Sequence, residues 1–543
     1  MAFAFGSLGP QSVLCAVLLG LSLLAYNLIL RKRQPLPPGP NPRLISGNLH
    51  QLPREKPWVT FAAWSRLYSK LVIGALEVCD VTSVFEDSPI ICFRIYGRKT
   101  VVLNTLRSAT DLLDARSSIY SARPAATMRN ELVGRKMAIF NMSAQHPRFK
   151  TYRRLLNSSL NARSTQGYLH IMQDERKILL DNLAADPEPF IAHFRRYVQV
   201  HQSQYLRFVF MTTVRNAGGI ILKVAYGWTV EGNDDYFVSL MEEAFQLSAE
   251  INAPGKWLVD AFPLLRFVPT WFPGARFKRE AERYRGRMSE VESVPHKWAK
   301  KRIDSGTYIE SFTSQHLQPE DGRTVDSQEE DIIKWCSAAL YAGGADTTVS
   351  ALSSFVLLMA LHPEVQKRAQ AEIDEVLGRD QLPSPGDEAS LPYVSAVVQE
   401  VLRSSPVAPI GLPHKVTADD EYLGYRIPEG STVIANIWAI ARDEDLYPDP
   451  LVFDPTRFLS KNPEERQCDP RKFAFGFGRR ICPGEHFAIT TLFFNISAIL
   501  QQFDIRKALD EHGREVDPVV EYTATITSHP KPFKCRIERR ASD

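Results

Sequence analysis

Cys482 is the residue best placed to do chemistry, because of the run that surrounds it: Phe475-Gly476-Phe477-Gly478-Arg479-Arg480-Ile481-Cys482-Pro483-Gly484. A free cysteine is ordinarily a small buried hydrophobe, and a buried cysteine at a helix start is the plainer alternative here. Each neighbour nonetheless has a task if the thiolate binds a metal held in a flat macrocycle. Gly478 permits a tight turn with positive φ, and Gly484 lets the backbone come close to a planar ligand. Pro483 suits the first turn of a helix expected through Glu485 to Leu500, whose free N–H groups would temper the charge on sulfur. Phe475 can shield that sulfur from water, and Arg480 can meet an anionic substituent of the ligand through charge-assisted hydrogen bonds.

A second candidate is Ala342-Gly343-Gly344-Ala345-Asp346-Thr347-Thr348, inside an apolar helical pattern running roughly from Asp331 to Leu361. A glycine in a helix costs about 1 kcal/mol relative to alanine, so two adjacent ones need a reason, and room for a small ligand is one. Thr347 can turn its hydroxyl to the carbonyl four residues back and open the helix. Asp346 and Thr347 then form an acid and alcohol pair able to relay protons. A kinked core helix with a satisfied aspartate is the alternative. Glu400 and Arg403, three apart in a helical pattern, share a face and can pair.

In this order the residues resemble the cytochrome P-450 superfamily of haem-thiolate monooxygenases. Phe475, Gly478, Arg480, Cys482 and Gly484 match its haem-binding signature FxxGxRxCxG, and thiolate ligation in that family pushes electron density that favours O–O cleavage. Pro455-Thr456-Arg457-Phe458 resembles its PxRF element, whose arginine joins the ExxR pair in a buried triad. Breaking one member of such a network costs about 3 to 5 kcal/mol, so Glu400, Arg403 and Arg457 are expected to be structural. The resemblance implies a mainly α fold with a small β region and haem b bound through Cys482 as the axial iron ligand. It also implies insertion of one atom of O2 into a small molecule, lipophilic if the implied pocket is apolar. Electrons would come from a separate NADPH-dependent cytochrome reductase, with cytochrome b5 as a second donor. The chain shows no nucleotide loop of its own: Ile481 stands where a third glycine would follow Gly476-Phe477-Gly478, and Gly343-Gly344 lacks the lysine of a phosphate loop.

Further site residues follow from the resemblance alone. Arg153, in Phe149-Lys150-Thr151-Tyr152-Arg153, matches the arginine of the family's WxxxR propionate contact, with Phe149 in place of the tryptophan; a solvated helix charge is the alternative. His414 resembles the holder of another propionate, or is a satisfied surface histidine. The implied pocket walls are Tyr120 to Phe140, Ala339 to Ala342, Val407 to Leu412 and Thr525-Ile526, mostly apolar or small. The sequence style resembles fungal microsomal members, many of them in specialised metabolism. A haem-thiolate isomerase or dehydratase is a rival against which Asp346-Thr347 counts, and a non-catalytic haem binder is another.

These residues need a large scaffold, and 543 residues with 44% hydrophobic and 23% charged supply one. A net charge of +3 without a basic stripe argues against nucleic acid as a partner. Seven scattered cysteines with no CxxC point to a reducing compartment. Val13 to Leu30 is an uncharged run of roughly 18 residues, enough to cross a bilayer core of about 30 Å once. Arg31, Lys32 and Arg33 follow it, which leaves the body on the cytoplasmic side and predicts a single-pass endoplasmic reticulum protein in contact with membrane lipid. A buried helix or an unusual cleaved signal is the alternative. The expected division is an anchor over 1–30, a basic and proline-rich hinge over 31–57 with a stiff spacer at Pro35 to Pro40, and a catalytic domain over 58–543. Helices are expected over Pro363 to Leu377 and Leu391 to Leu402, and β structure over Ile91 to Leu103 and Ser431 to Ile437. Two segments, 71–88 and 198–216, are atypical inserts for the family. Both begin at or beside valine, whose codons start GT, and end where an AG is allowed; unspliced introns and genuine surface loops both fit.

Overall fold

The computed structural model describes residues 34–53, 55–75, 88–185, 214–230, 235–253, 255–460, 462 and 464–541. The expected anchor, Arg31 to Arg33, and positions 76–87 and 198–213 of the two inserts lie outside the described residues. Among the described residues ten longer helices carry the body: α1 Pro57–Ala75, α2 Phe149–Leu160, α3 Leu169–Ala185, α4 Val214–Tyr226, α5 Tyr236–Ile251, α6 Arg276–Asp304, α7 Ser327–Leu361, α8 Pro363–Leu377, α9 Pro392–Ser404 and α10 Glu485–Gln502. The expected mainly helical fold with a small β region is what forms.

The axis is α7, 35 residues long and buried on almost every side over its second half. It starts one turn before Asp331, because the Asp326 side chain accepts the amides of Gln328 and Glu329 while Glu329 and Glu330 complement the helix dipole. Among the described residues it is the one helix long and apolar enough to cross a membrane, but Leu352, Phe355 and Val356 are fully buried against α9 and α10. Each such side chain contributes about 1.5 to 3 kcal/mol by leaving water. Pro363 at the first helical position and Gly378 after the last fix α8 at the expected limits. Pro483, by contrast, lies outside α10: the helix begins at Glu485 with Gly484 as its N-cap.

The β structure is in three small sheets. The largest has the order β1-β2-β6-β3, built from Ile90–Ile95, Arg98–Leu103, Thr432–Ala435 and His414–Lys415. The run expected as one β stretch over Ile91 to Leu103 is a hairpin in register Ile90↔Leu103, turning at Tyr96 and Gly97 with φ of 47° and 79°. β4 (Asp420–Tyr422) pairs with β5 (Tyr425–Ile427), and β7 (Phe503–Leu509) lies between β8 (Glu515–Val516) and β9 (Cys535–Arg539). Pro35 to Pro40 does not stand off as a spacer. Pro35 O accepts Arg426 N at 2.9 Å and Pro38 O accepts Cys92 N at 2.8 Å, and a Cβ on Gly39 would come within 1.9 Å of Cys92 O. The proline stretch is therefore bonded along the body. α1 runs unbroken through Leu71 to Ala75, the opening of the first expected insert, and α4 includes Val214 to Asn216, the close of the second.

Candidate functional site

The turn before α10 is closed by its own backbone. Cys482 N donates to Phe475 O at 2.8 Å, Ile481 N to Gly478 O at 3.1 Å and Arg480 N to Phe477 O at 3.0 Å. Gly476 and Gly478 have φ of 83° and 52°, a region nearly reserved for glycine. Gly478 is also a close-approach position, since a Cβ there would meet Leu113 O at 2.4 Å. A Cβ on Gly484 would contact Leu160 Cδ1 at 3.4 Å and Cys482 Sγ at 3.9 Å. Phe475 is packed, half-buried, against the core shared by α7, α9 and α10.

Cys482 lies deep in the protein, and burial pushes its thiol up, opposed by the Gly484 amide and by Arg153. Its side chain is nevertheless exposed. The residue is thus accessible while protein packs closely around it.

Above and beside that sulfur the structure gathers cations. Arg480 lies over the Phe149 ring at 4.4 Å, and its guanidinium donates to Ser121 O at 2.8 and 2.9 Å, to Ile139 O at 3.2 Å and to Met142 O. Arg153, on α2, donates to Ile481 O at 2.7 Å. Arg123, which the sequence reading did not single out, donates to Leu412 O at 2.9 Å and Pro413 O at 2.6 Å, and its Nε is buried without a hydrogen-bond partner. Burial pulls all three guanidiniums below their ordinary value; Arg480 adds to the effect on Arg123, and Arg153 to that on Arg480. Guanidiniums do not lose their proton in proteins, so each is a positive charge held partly out of water. His414 is buried rather than on the surface, with Nδ1 2.9 Å from Tyr120 O. Burial, then Arg123 and Arg480, drive it down to about 3. Arg123 sits in the loop expected as a pocket wall, and nothing along the chain marks it, because its partners Leu412 and Pro413 are remote in sequence.

On the opposite side, Thr347 Oγ1 donates to Gly343 O at 2.7 Å and Thr348 Oγ1 to Gly344 O at 2.9 Å. Asp346 does not stand alone: its Oδ1 is 3.0 Å from His529 Nε2, a residue absent from the sequence reading. The two glycines differ. A Cβ on Gly343 would meet only Phe140 Cζ, at 3.8 Å, whereas one on Gly344 would meet Ile221 of α4 at 2.9 Å. Room for a small ligand therefore accounts for Gly343 at most; Gly344 is small because α4 packs there.

Glu400, Arg403 and Arg457 meet in a buried cluster. Arg403 holds Glu400 through two parallel bonds of 2.7 Å, both side chains fully buried, and Arg457 Nε lies 3.6 Å from the same carboxylate. The arginines also bind the carbonyls of Ala441, Pro448, Asp449, Pro450 and Val452. Burial pushes the Glu400 carboxyl up, and Arg403, the Asp454 amide and Arg457 pull it back.

A glycine-bounded cysteine turn that feeds one core helix, with an acid and an alcohol on a second, longer one, characterises this helical protein. The cytochrome P-450 family model matches residues 37–536, and the chain belongs to that family of monooxygenases. It is 37% identical to cytochrome P-450 monooxygenase claR of Ampulloclitocybe clavipes over 94% of this chain and 88% of that protein. It is 37% identical to cytochrome P-450 monooxygenase 208 of Postia placenta over 97% and 94%. Cytochrome P-450 monooxygenase ppsD of Aspergillus oryzae is 34% identical over 98% and 94%.

Family membership implies a haem, dioxygen, a substrate and a redox partner. The residues present fit the haem. An accessible thiol stands beside the half-buried guanidiniums of Arg153 and Arg480, and the buried Arg123 Nε has no hydrogen-bond partner, a donor that a propionate would satisfy.

Proposed function

We propose that this enzyme inserts one atom of dioxygen into a lipophilic small molecule, with Cys482 as the residue that would ligate haem iron and electrons from a separate NADPH-dependent flavoprotein reductase. The observation that carries the reading is the Cys482 thiol, accessible and set beside the Gly484 amide and the Arg153 guanidinium. When bound, the haem supplies dioxygen binding and activation, which the thiolate promotes by electron donation. The reaction balances when RH, O2, two electrons and two protons give ROH and water. The chain must therefore supply a ligand, a closed site and protons.

The Gly484 amide tempers the charge on Cys482, and Phe475 excludes water from it. Arg123, Arg153 and Arg480 neutralise the propionates. His414 spends one N–H on Tyr120 O, so it meets a carboxylate only after Nε2 also gains a proton, a change that a nearby anion favours. Asp346 takes protons from water and passes them toward the distal side. The Thr347 hydroxyl already donates to Gly343 O, which leaves its lone pairs to accept from a water in that relay. Glu400, Arg403 and Arg457 touch no reacting atom and hold the cysteine-side scaffold.

Lipophilicity of the substrate is supported by the walls. Phe140, Leu412 and Ile526 all present accessible apolar surface, and Ser528 N donates to Val407 O at 2.8 Å, joining two of the wall segments. Placement on a membrane is supported by a patch in which Leu264, Phe267 and Trp271 are 80%, 68% and 77% exposed. Leu44 and Ile45, 101% and 75% exposed, adjoin it, because Tyr96 stacks near Phe262 at 5.8 Å and its amide reaches Ser46 O at 3.4 Å. The patch thus lies beside the segment that leads back to the apolar run of Val13 to Leu30, which we read as a single-pass anchor in the endoplasmic reticulum with the body in the cytoplasm. Specialised metabolism is the proposed setting, an analogy from fungal relatives.

The test is Cys482→Ser. The unaltered protein, reduced under carbon monoxide, is expected to show the red-shifted Soret band of a thiolate-bound haem and, with reductase and NADPH, to consume dioxygen. The variant is expected to lose both, and an unchanged spectrum would refute the assignment.

A further inference from the structure

One face of α7 is polar where the helix is otherwise apolar. Asp346, Ser350 and Ser354 recur every four residues, so they form a row. All three face the same short stretch of chain, Tyr522 to His529. Asp346 Oδ1 meets His529 Nε2 at 3.0 Å, Ser350 Oγ donates to Ser528 O at 2.5 Å, and Ser354, whose Oγ donates to Ser350 O at 2.9 Å, lies beside Tyr522, whose hydroxyl is 2.8 Å from Ser405 Oγ. The stretch is fixed before it reaches the helix. Thr523 N donates to His529 O at 2.8 Å, His529 N to Thr523 Oγ1 at 3.0 Å, Ser528 Oγ to Thr523 O at 3.1 Å and Ser528 N to Val407 O at 2.8 Å. His529 is 1% exposed, while Asp346 keeps 21% of its side chain accessible.

A relay carboxylate needs two things that conflict. It must have access to water, and it must hold one rotamer so that its proton arrives within hydrogen-bond reach of the next group. Asp346 has the first through its partial exposure, and an aspartate on a helix has no intrinsic means to the second. We propose that His529 is a positioning residue that holds the Asp346 carboxylate in its relay rotamer, anchored in turn by the Tyr522–His529 stretch. This rests on the reading of Asp346 as the proton relay. His529 itself touches no reacting atom: its Nε2–H donates to Oδ1 and leaves Oδ2 to take a proton from water and release it toward Thr347.

The experiment compares His529→Ala, His529→Gln, Asp346→Asn and the double variant His529→Ala/Asp346→Asn as holoenzymes. Two quantities are read: the solvent deuterium isotope effect on reductase-driven, NADPH-dependent dioxygen consumption, and the thermal midpoint of the carbon monoxide complex. Asp346→Asn is expected to slow consumption on the order of 10-fold or more and to raise the isotope effect. His529→Ala is expected to do the same in lesser degree, and the double variant to be no slower than Asp346→Asn. His529→Gln, whose amide can still donate to Oδ1, is expected to recover most of the rate. The losses in thermal midpoint should be non-additive, because the two side chains share one contact. A His529→Ala enzyme with unchanged isotope effect and rate, beside a slowed Asp346→Asn enzyme, would overturn the inference and leave the relay reading standing. A fully active Asp346→Asn enzyme would overturn both. If His529→Ala yields no folded holoenzyme, His529→Gln decides: a normal rate and isotope effect support positioning by the donor, and values like those of Asp346→Asn refute it.

Discussion

The two sides of the site are built on opposite principles. On the cysteine side, Glu400 and Arg403 are completely buried and tied by paired 2.7 Å bonds, the arginine forks are spent on carbonyls, and the turn from Phe475 to Cys482 closes on its own backbone. On the α7 side, Asp346 keeps part of its surface and Thr347 accepts nothing that the structure prescribes. A ligand that must stay fixed through every turnover is served by polar groups fully satisfied inside protein, where a displaced group would be left unpaired at high cost. Groups that pass protons need slack and water. Substitutions on the cysteine side should therefore remove the holoprotein, whereas those on the α7 side should leave the holoprotein and change its turnover.

The largest effect is expected at Arg403→Ala. It strands the Glu400 carboxylate in a site with no exposure and removes bonds to three carbonyls, a loss of about 3 to 5 kcal/mol against a total stability of roughly 5 to 15 kcal/mol. Soluble protein with haem should fall to near background, read from the carbon monoxide spectrum per milligram of chain. Normal haem content in this variant would break the contrast outright. Next is Gly478→Ala. The left-handed backbone costs a side chain about 1 to 2 kcal/mol, and the new methyl would also be driven to 2.4 Å from Leu113 O, a backbone atom that cannot swing aside. A lowered thermal midpoint and reduced haem content are expected; a midpoint equal to the parent's would show that the turn is not rigid.

Arg123→Met should act more selectively. It removes a buried charge that has no carboxylate beside it, so unfolding should change little, while a charge-assisted bond to a propionate, worth about 1.5 to 3 kcal/mol, would be lost. Haem transfer to an acceptor protein should speed up on the order of 10-fold or more. A transfer rate equal to the parent's would take Arg123 out of the haem cradle.

What the residues disclosed in advance follows the same division. The cysteine side is written in runs of consecutive positions, so ten residues were enough to place Phe475, Gly478, Cys482 and Gly484 in one turn. Pro363 and Gly378 bounded α8 for the same local reason. Arg123 and His529 escaped because their partners are remote in sequence: Arg123 acquires meaning only when Leu412, Pro413 and Arg480 come alongside, and His529 only when α7 presents Asp346. The proline stretch read as a stiff spacer because its bonds to Arg426 and Cys92 are likewise invisible along the chain. Arg480 was legible as a cation near Cys482, but not its ties to Ser121 and Ile139.

The adjacent glycines of α7 give the smallest effects and the sharpest contrast within one turn of helix. Alanine for glycine in a helix is favourable by about 1 kcal/mol. At Gly343 the added methyl meets only Phe140 Cζ, at an ordinary 3.8 Å, so Gly343→Ala should raise the thermal midpoint by a few degrees. If that opening serves dioxygen, dioxygen consumption should fall in the same variant. At Gly344 the methyl comes 2.9 Å from Ile221 Cγ1 and 3.0 Å from its Cδ1, flexible atoms that can move only by disturbing the α4–α7 packing. The helix gain and the packing loss oppose each other, and overpacking typically costs about 1 to 3 kcal/mol, so Gly344→Ala should be neutral to destabilising. Calorimetry of the two single variants separates the cases. A stabilised Gly344→Ala would mean that α4 yields easily, and a destabilised Gly343→Ala would mean that Phe140 closes down on the helix more tightly than its distance shows.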